Sequence, residues 1–186
     1  MRIISGSARG TKLATFTGCE IRPTSDRVRG AIFSKLCSRL GSFNKLKILD
    51  IFAGTGAMGL EALSRGAETA VFVDKGQQAK KIISSNSKHC HLQEKTRIIN
   101  QNAQTALGTL TEHHFDLIFI DPPYNKGMLP QIIQLIDTHK LLATNGIICA
   151  EEDKQASIPE QIGVYELLDR RDYGNTSIYL FSSSEE

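Results

Sequence analysis

Apolar residues at four-residue spacing predict a helix near the start of the chain. Thr24 or Ser25 can cap this helix, and Asp26 places a negative charge in its first turn, where the helix dipole favours one. Gly41 is suited to end it. The residues that form the apolar face are Val28, Ile32, Leu36 and Leu40.

The segment before this helix has a different pattern. Short β-like runs at Arg2–Ile4 and Lys12–Ala14 are separated by Gly6 and Gly10. Glycines between short runs are typical of turns, so residues 1–23 are predicted to form a small β-hairpin or an irregular segment.

From Leu46 onward, short apolar runs alternate with amphipathic helical segments. The runs are Leu46–Phe52, Thr69–Asp74, Thr96–Asn100, Phe115–Asp121 and Gly146–Glu151. The helical segments lie near Met58–Arg65, Gln77–His89, Ala103–Thr111 and Met128–Leu142. Strands that alternate with helices predict βαβ units and a parallel sheet.

The last two apolar runs have no helix between them. Val164–Arg171 and Thr176–Ser182 flank the turn-forming residues 172–175, which indicates an antiparallel hairpin at one edge of the sheet. The predicted fold is therefore α/β, with a doubly wound, seven-stranded, mostly parallel sheet of the Rossmann type and a C-terminal antiparallel hairpin.

In such a sheet, ligands bind beyond the carboxyl ends of the strands. The first run ends in a glycine-rich turn in which Gly54, Gly56 and Gly59 let the backbone approach a ligand closely. The helix that follows offers free N–H groups to an anion. This glycine spacing also occurs in dinucleotide-binding proteins and in simple tight turns, so it does not identify the ligand by itself.

Two carboxylates narrow the choice of ligand. Asp50, four residues before Gly54, can accept a hydrogen bond from an ammonium group, which S-adenosylmethionine carries at this place and NAD does not. Asp74 ends the second run, where an acidic residue binds ribose hydroxyls. Asn102 can contact an adenine beside Ala103, although it is equally suited to cap the next helix.

The tetrapeptide Asp121-Pro122-Pro123-Tyr124 follows the fourth run. Two prolines end the strand and remove two backbone donors. The remaining acceptors, the Asp121 carboxylate and the Pro122 carbonyl, match the two hydrogens of an exocyclic amine on a nucleic-acid base. Tyr124 can stack on an extruded base. We therefore expect direct in-line methyl transfer in which positioning is the main contribution.

With these residues, the chain resembles the class I amino-methyltransferases. More narrowly, it resembles the bacterial ribosomal RNA small subunit methyltransferase D family, the 16S rRNA guanine-N2 methyltransferases. The segments that carry the closer resemblance are residues 1–6, Arg22–Arg29, Gly59–Ala67 and Tyr173–Thr176, beside the turns at 50–56 and 121–124. Residues 100–103 differ, because Asn102 stands where such families usually have an acid.

The resemblance implies guanine-N2 methylation in 16S rRNA of the small subunit or its assembly intermediate. It implies catalytic roles for Asp121, Pro122, Pro123 and Tyr124. The residues expected to bind S-adenosylmethionine are Asp50, Phe52, Gly54, Gly56, Asp74, Asn102 and Ala103. The residues expected to bind nucleic acid are Arg22, Thr24, Arg27 and Arg29.

The distribution of charge agrees with a nucleic-acid partner. Residues 1–47 contain ten Lys and Arg against two acidic residues, whereas the other 139 residues contain 12 basic and 18 acidic ones. A basic surface that meets phosphates would explain this asymmetry. Alternatively, Arg22 and Arg27 pair with acids of the main sheet.

Composition excludes several other classes. No run approaches the about 18 apolar residues of a membrane helix, and the first residues have no apolar signal segment, so we expect a cytoplasmic protein. The four cysteines form no CxxC pair, so neither a metal site nor a disulfide frame is expected.

We expect a monomer with one methyltransferase domain over residues 1–186, in which 1–44 form a basic N-terminal extension and 45–183 the catalytic core.

Three alternatives share part of this evidence. An adenine-N6 DNA methyltransferase has both turns, but 186 residues leave little room for a target-recognition domain. A nicotinamide-dependent oxidoreductase explains the glycines but not residues 121–124. A non-catalytic RNA-binding assembly factor would not require Asp50, Asp74 and Asp121.

Overall fold

A single mixed sheet organises the chain. The structure is a computed structural model and describes residues 1–16, 25–111, 113–124 and 126–183. The strands are β1 Lys47–Ile51, β2 Thr69–Val73, β3 Thr96–Ile99, β4 Phe115–Ile120, β5 Leu142–Asp153, β6 Gln161–Ile162, β7 Tyr165–Tyr173 and β8 Thr176–Ser183. The helices are α1 Asp26–Leu40, α2 Ala57–Ser64, α3 Gln77–His89, α4 Ala103–Gly108 and α5 Met128–Thr138, and a 3-10 turn covers Gln93–Lys95.

The strand order is β3-β2-β1-β4-β5-β8-β7-β6. Strands β1 to β5 are parallel, and β6, β7 and β8 are antiparallel to their neighbours. The order reverses between β1 and β4, so the loops after these two strands meet at the topological switch point. This confirms the doubly wound sheet and its C-terminal antiparallel strands.

The sheet has eight strands among the described residues rather than the predicted seven. The additional strand, β6, is only two residues long and pairs with the start of β7. A two-residue strand cannot show the alternation of apolar and polar residues on which the sequence prediction depends.

Both faces of the sheet are covered. Helices α1, α2 and α3 pack on one face, where Ile32, Leu60 and Ile83 join one apolar cluster. Helices α4 and α5 pack on the other, where Leu107 and Ile132 join a second cluster. The run 117–120 in β4 supplies side chains alternately to the two clusters, which explains why it is apolar throughout.

Helix α1 begins and ends as the sequence predicts. The Ser25 side chain accepts a hydrogen bond from the Val28 backbone N–H at 3.3 Å, and Gly41 ends the helix with φ of +75°. Of the predicted apolar face, Ile32 and Leu36 are buried, with Phe33 beside them, and Val28 and Leu40 are partly buried against the same core cluster.

The two N-terminal runs pair as a small antiparallel hairpin at the Arg2–Lys12 bridge. Of the predicted N-terminal segment, residues 17–24 lie outside the described part of the chain. Within the described residues, no helix is long and apolar enough to cross a bilayer.

Candidate active site

A cavity of about 890 Å³ lies at the carboxyl ends of β1, β2, β4 and β5. It is lined by the turn after β1, by Asp74 after β2, by residues 101–104 and by the turn after β4. The structure therefore brings together the residues that the sequence indicated for a cofactor and for an amine. The predicted site residues that line it are Arg29, Asp50, Phe52, Gly54, Asp74, Asn102, Ala103, Asp121, Pro122, Pro123 and Tyr124.

The turn after β1 has a backbone that side chains rarely allow. Phe52 has φ of +61°, and Gly54 has φ of +55°. Phe52 is not a glycine, so its conformation is strained, and such strain is concentrated at functional sites. A side chain at Gly54 would meet only Phe16 and the Phe52 carbonyl, both near 4 Å. Gly54 is therefore required for its backbone angle and for space at the cavity, not for close packing.

Gly59, on the first turn of α2, is required for a different reason. A Cβ at this position would lie 2.4 Å from the Phe72 ring and 3.2 Å from Asp50 Oδ2. The absence of a side chain lets α2 pack directly onto the sheet. Gly56 also belongs to this turn, but it is buried against Ile83 of α3 and is absent from the residues that line the cavity.

Asp50 is buried at the end of β1, where it lines the cavity. Its Oδ2 accepts a hydrogen bond from the Gly59 backbone N–H at 2.9 Å. Burial raises the pKa of Asp50 to about 7, and the nearby Asp74 carboxylate also raises it, against the opposing effect of the Gly59 hydrogen bond. A cation in the cavity would favour the charged form of this carboxyl group.

Asp74 connects two turns of the site. Its Oδ2 accepts from the Gly54 N–H at 2.9 Å, and its Oδ1 accepts from the Gly76 N–H at 2.8 Å. Its backbone carbonyl accepts from the Asn100 amide at 2.8 Å. A carboxylate has about four acceptor positions, so both oxygens retain capacity for the hydroxyls of a ribose. The sequence did not indicate Asn100, whose amide fixes the backbone of Asp74.

Asn102 caps helix α4. Its Oδ1 accepts a hydrogen bond from the Thr105 N–H at 2.8 Å, which is the capping role considered as the alternative to adenine contact. Asn102 and the buried Ala103 both line the cavity, so an adenine contact stays a prediction.

The turn after β4 begins with Asp121, which is exposed to the cavity and joined to β1 by its N–H, 3.3 Å from the Ile51 carbonyl. The surrounding protein and the neighbouring Glu151, Asp50 and Glu152 raise the pKa of Asp121 well above its ordinary value, and desolvation is the largest cause. Although solvent reaches the carboxyl group, the walls of the cavity limit its hydration. Pro122 is buried, and Pro123 is exposed.

Tyr124 contacts Glu151 and Thr176, neither of which is among the predicted site residues. Its hydroxyl donates to Glu151 Oε1 at 2.6 Å and lies 3.4 Å from Thr176 Oγ1. Glu151 and Cys149 of β5 also line the cavity. Burial raises the pKa of the Cys149 thiol, and Glu151 and Asp50 raise it further.

An N-terminal arm, residues 1–16, forms another wall of the cavity through Met1, Thr15 and Phe16. The buried Asn86 side chain holds the arm, because it accepts from the Ala14 N–H and donates to the Ala14 and Thr55 carbonyls. Glu61 and Ser64 of α2 hold the start of the arm. Glu61 accepts from the N–H groups of residues 4 and 5, and Ser64 Oγ accepts from that of residue 8.

The four residues expected to bind nucleic acid differ in position. Arg27 is exposed on α1. Arg29 is buried, although its position off the apolar stripe of α1 predicts a partly solvated side chain; its expected contact with nucleic acid stays a prediction. Its guanidinium donates to the Arg2 carbonyl and, at 3.1 Å, to Asp26, and these partners and the arm enclose it in the cavity wall. Arg22 and Thr24 lie outside the described residues.

Comparisons with known proteins agree with this geometry. The chain matches the family described as Conserved hypothetical protein 95 over residues 1–182. YlbH of Bacillus subtilis (strain 168) is 36% identical over 183 residues, which are 97% of this chain and 98% of YlbH. Ribosomal RNA small subunit methyltransferase D of Escherichia coli (strain K12) is 33% identical over 159 residues, 86% of this chain and 78% of that protein.

Among solved structures, yhhF from Escherichia coli superposes with a TM-score of 0.87 at 30% identity, covering 100% of this chain and 99% of yhhF. The resemblance indicated by the sequence is thereby confirmed. The chain has the class I methyltransferase fold, and it belongs to the Conserved hypothetical protein 95 family, together with YlbH and ribosomal RNA small subunit methyltransferase D.

Proposed function

We propose that this chain transfers a methyl group from S-adenosylmethionine to the exocyclic N2 amine of a guanine in 16S ribosomal RNA of the small subunit. One observation carries the proposal: the turn at Asp121–Tyr124 and the glycine turn after Asp50 line the same cavity. A donor held at one turn therefore faces an acceptor amine held at the other.

The residues of the cavity fit S-adenosylmethionine from end to end. Asp50 is buried beside the glycine turn and suits the α-amino group of the methionine part. Asp74, directly after the neighbouring strand β2, suits the ribose hydroxyls. Asn102 and Ala103 lie next along the cavity wall, where the adenine would be bound. The volume of about 890 Å³ is within the range of cofactor sites.

The reaction requires little from the protein beyond orientation. S-adenosylmethionine supplies an electrophilic methyl group on a sulfonium centre. Asp121 and the Pro122 carbonyl accept hydrogen bonds from the two N–H groups of the target amine, which directs the nitrogen lone pair at the methyl carbon. The N–C bond forms as the S–C bond breaks, the electron pair of that bond goes to sulfur, and Asp121 can accept the proton that the amine loses.

Three features favour a nucleic-acid base as the substrate. Tyr124 is 37% exposed beside Asp121, so its ring can stack on an extruded base. Lys75 and Lys126 are exposed and line the cavity, where they can meet phosphates. Arg27 adds positive charge on α1. The relative in Escherichia coli is named for small-subunit ribosomal RNA, which favours RNA over DNA.

In this proposal, residues 1–186 form one methyltransferase domain, and the protein acts in the cytoplasm as a monomer. Residues 1–44 carry the basic extension and the wall of the cavity, and residues 45–183 carry the catalytic core. Arg22 and Thr24, within the basic extension, are assigned to the nucleic acid together with Arg27.

A methyl-transfer assay tests the class of substrate. Tritiated-methyl S-adenosylmethionine is incubated with the protein and, separately, small ribosomal subunits without their native base methylations, free 16S rRNA and unmethylated DNA. We expect label in RNA, and none with the Asp121→Ala variant. Label only in DNA would establish the adenine-N6 alternative, and no label in any substrate despite cofactor binding would contradict the proposed function.

A further inference from the structure

Tyr124, in the turn after β4, is held by residues of the two strands next to β4 in the sheet, β5 and β8. Its hydroxyl lies 2.6 Å from Glu151 Oε1 and 3.4 Å from Thr176 Oγ1. Glu151 is near the end of β5, and Thr176 begins β8, which pairs with β5. The two partners therefore belong to one rigid, hydrogen-bonded part of the sheet, whereas Tyr124 lies in a turn.

The hydrogen bonds have a defined direction. A carboxylate only accepts, so the tyrosine O–H donates to Glu151. The Thr176 hydroxyl then donates to the phenol oxygen. Burial, the Asp121 carboxyl group and the bond to Glu151 raise the pKa of Tyr124 well above its ordinary value, and the bond from Thr176 lowers it by less. The phenol thus stays protonated and remains the donor to Glu151.

The two hydrogen bonds of the Tyr124 hydroxyl leave the tyrosine ring available for contact with a ligand. A tyrosine side chain has two rotatable bonds, so a fixed hydroxyl and a fixed backbone together determine the plane of the ring. The side chain remains 37% exposed while its hydroxyl is bonded. The ring next to Asp121 can therefore present a face to a ligand without losing its orientation.

We propose that Glu151 and Thr176 are positioning residues that fix the Tyr124 ring as the stacking surface for the target base. This inference rests on the proposed function, because it assumes that the base enters beside Asp121. It also gives a role to the segment Tyr173–Thr176, which the methyl-transfer chemistry alone does not use: the terminal hairpin places Thr176 against the tyrosine.

Kinetics of single and double variants test the proposal. Tyr124→Phe and Glu151→Ala should each lower kcat/KM for RNA roughly tenfold, mainly through KM, because each removes one hydrogen bond to a charged acceptor. Glu151→Gln retains an acceptor for the phenol and should keep more activity than Glu151→Ala. Thr176→Val should have a smaller effect in the same direction. Glu166→Ala, an exposed site on β7, serves as the control and should change nothing.

The double variant Tyr124→Phe/Glu151→Ala distinguishes a shared role from separate ones. If Glu151 acts through the tyrosine hydroxyl, the double variant is no slower than either single one, measured at a pH on the plateau above the acidic limb of the pH–rate profile. Effects that multiply, or a Glu151→Ala enzyme as active as the wild type, would overturn the proposal. Cofactor affinity by calorimetry should stay within about twofold in all variants, because no cofactor contact is removed.

A second measurement does not depend on turnover. In a spectrum of protein labelled with ¹³C-tyrosine, Tyr124→Phe identifies the Tyr124 ring signal among the four tyrosines. Glu151→Ala should shift or broaden this signal, and Glu166→Ala should not. An unchanged ring signal would overturn the positioning role. If the ring signal responds as expected but no substrate is methylated, the positioning of Tyr124 by Glu151 is supported and the proposed function is contradicted.

Discussion

Asp50 Oδ2 accepts a hydrogen bond from the Gly59 N–H at 2.9 Å. One carboxyl group therefore closes the first turn of α2 and also faces the cavity in which we place the cofactor. The buried negative charge of Asp50 destabilises the cofactor-free protein. In the cofactor-bound protein, an ammonium group can pair with this charge and stabilise it. Stability and cofactor binding are thus coupled at this residue.

Replacement of Asp50 by asparagine should separate these two properties. Burial raises the pKa of Asp50 to about 7, so the folded protein holds this proton more tightly than the unfolded chain. The stability contributed by Asp50 is then present at low pH and lost as pH rises through about 7. Asp50→Asn should raise the unfolding temperature of the cofactor-free protein at pH 8 by a few degrees and change it less at pH 5.

The same variant should bind S-adenosylmethionine at least tenfold more weakly, because the ammonium group loses its charged partner. Differential scanning calorimetry and titration calorimetry give both quantities. Equal affinity in Asp50→Asn and the wild type would show that the cofactor ammonium binds elsewhere.

Gly54 and Gly59 should respond differently to the same substitution. Gly54→Ala forces a side chain into a left-handed conformation with open space around it. Cofactor affinity should therefore fall, whereas the free energy of unfolding should change by only about 1 kcal/mol. Gly59→Ala places a methyl group 2.4 Å from the Phe72 ring and should cost about 1–3 kcal/mol through overpacking. Urea unfolding measures the stability of the two variants, and titration calorimetry measures their cofactor affinity. A Gly54→Ala protein less stable than Gly59→Ala would contradict the close packing of Gly59 against Phe72.

Asp121 should control the acidic limb of the pH–rate profile. Its pKa is raised by desolvation and by Glu151, Asp50 and Glu152, and only the deprotonated form accepts both a hydrogen bond and a proton. We expect kcat/KM to fall with decreasing pH, with a midpoint above that of an ordinary carboxyl group. Glu151→Gln removes one negative neighbour and should move this midpoint to lower pH.

Asp121→Ala should reduce turnover by at least about a hundredfold with nearly normal cofactor affinity. Activity above a tenth of the wild type would exclude the role given to this carboxylate. Glu166→Gln, an exposed acid on β7, is the matched control for the loss of one negative charge.

Arg27 should bind RNA without a role in folding. It is exposed on α1, so Arg27→Glu should weaken RNA binding and reduce the slope of log K against log salt by about one. Lys95→Glu makes the same change of charge at the amino end of β3, away from the cavity, and should leave the slope unchanged. Equal slopes for the wild type and Arg27→Glu would show that this part of α1 faces away from the RNA.

Much of the fold and site follows from short-range sequence patterns. The alternation of apolar runs and helices predicts the five parallel strands and the hairpin, because each run is covered on both faces or lies at an edge. The turns after β1 and β4 are recognisable because glycine, proline and aspartate have particular backbone and hydrogen-bonding properties. Parallel strands then bring Asp50, Asp74 and Asp121 to one edge of the sheet.

Other features depend on long-range contacts that no local pattern contains. Arg29 lies off the apolar stripe of α1 and is nevertheless buried, because the Arg2 carbonyl and Asp26 surround its guanidinium. Glu151 and Glu152 are adjacent acids at a strand end, and only the pairing of β5 with β4 and β8 determines which of them reaches Tyr124. The position of the N-terminal arm depends on Asn86, more than 70 residues away.

The most direct test of the account is the identity of the methylated nucleoside. Small ribosomal subunits that lack their native base methylations are labelled with tritiated-methyl S-adenosylmethionine, and their RNA is digested to nucleosides and separated. We predict that the label elutes as N2-methylguanosine and that Asp121→Ala eliminates it. Label in another nucleoside, or none in subunits while the protein binds the cofactor, would contradict the assignment of this site to guanine N2.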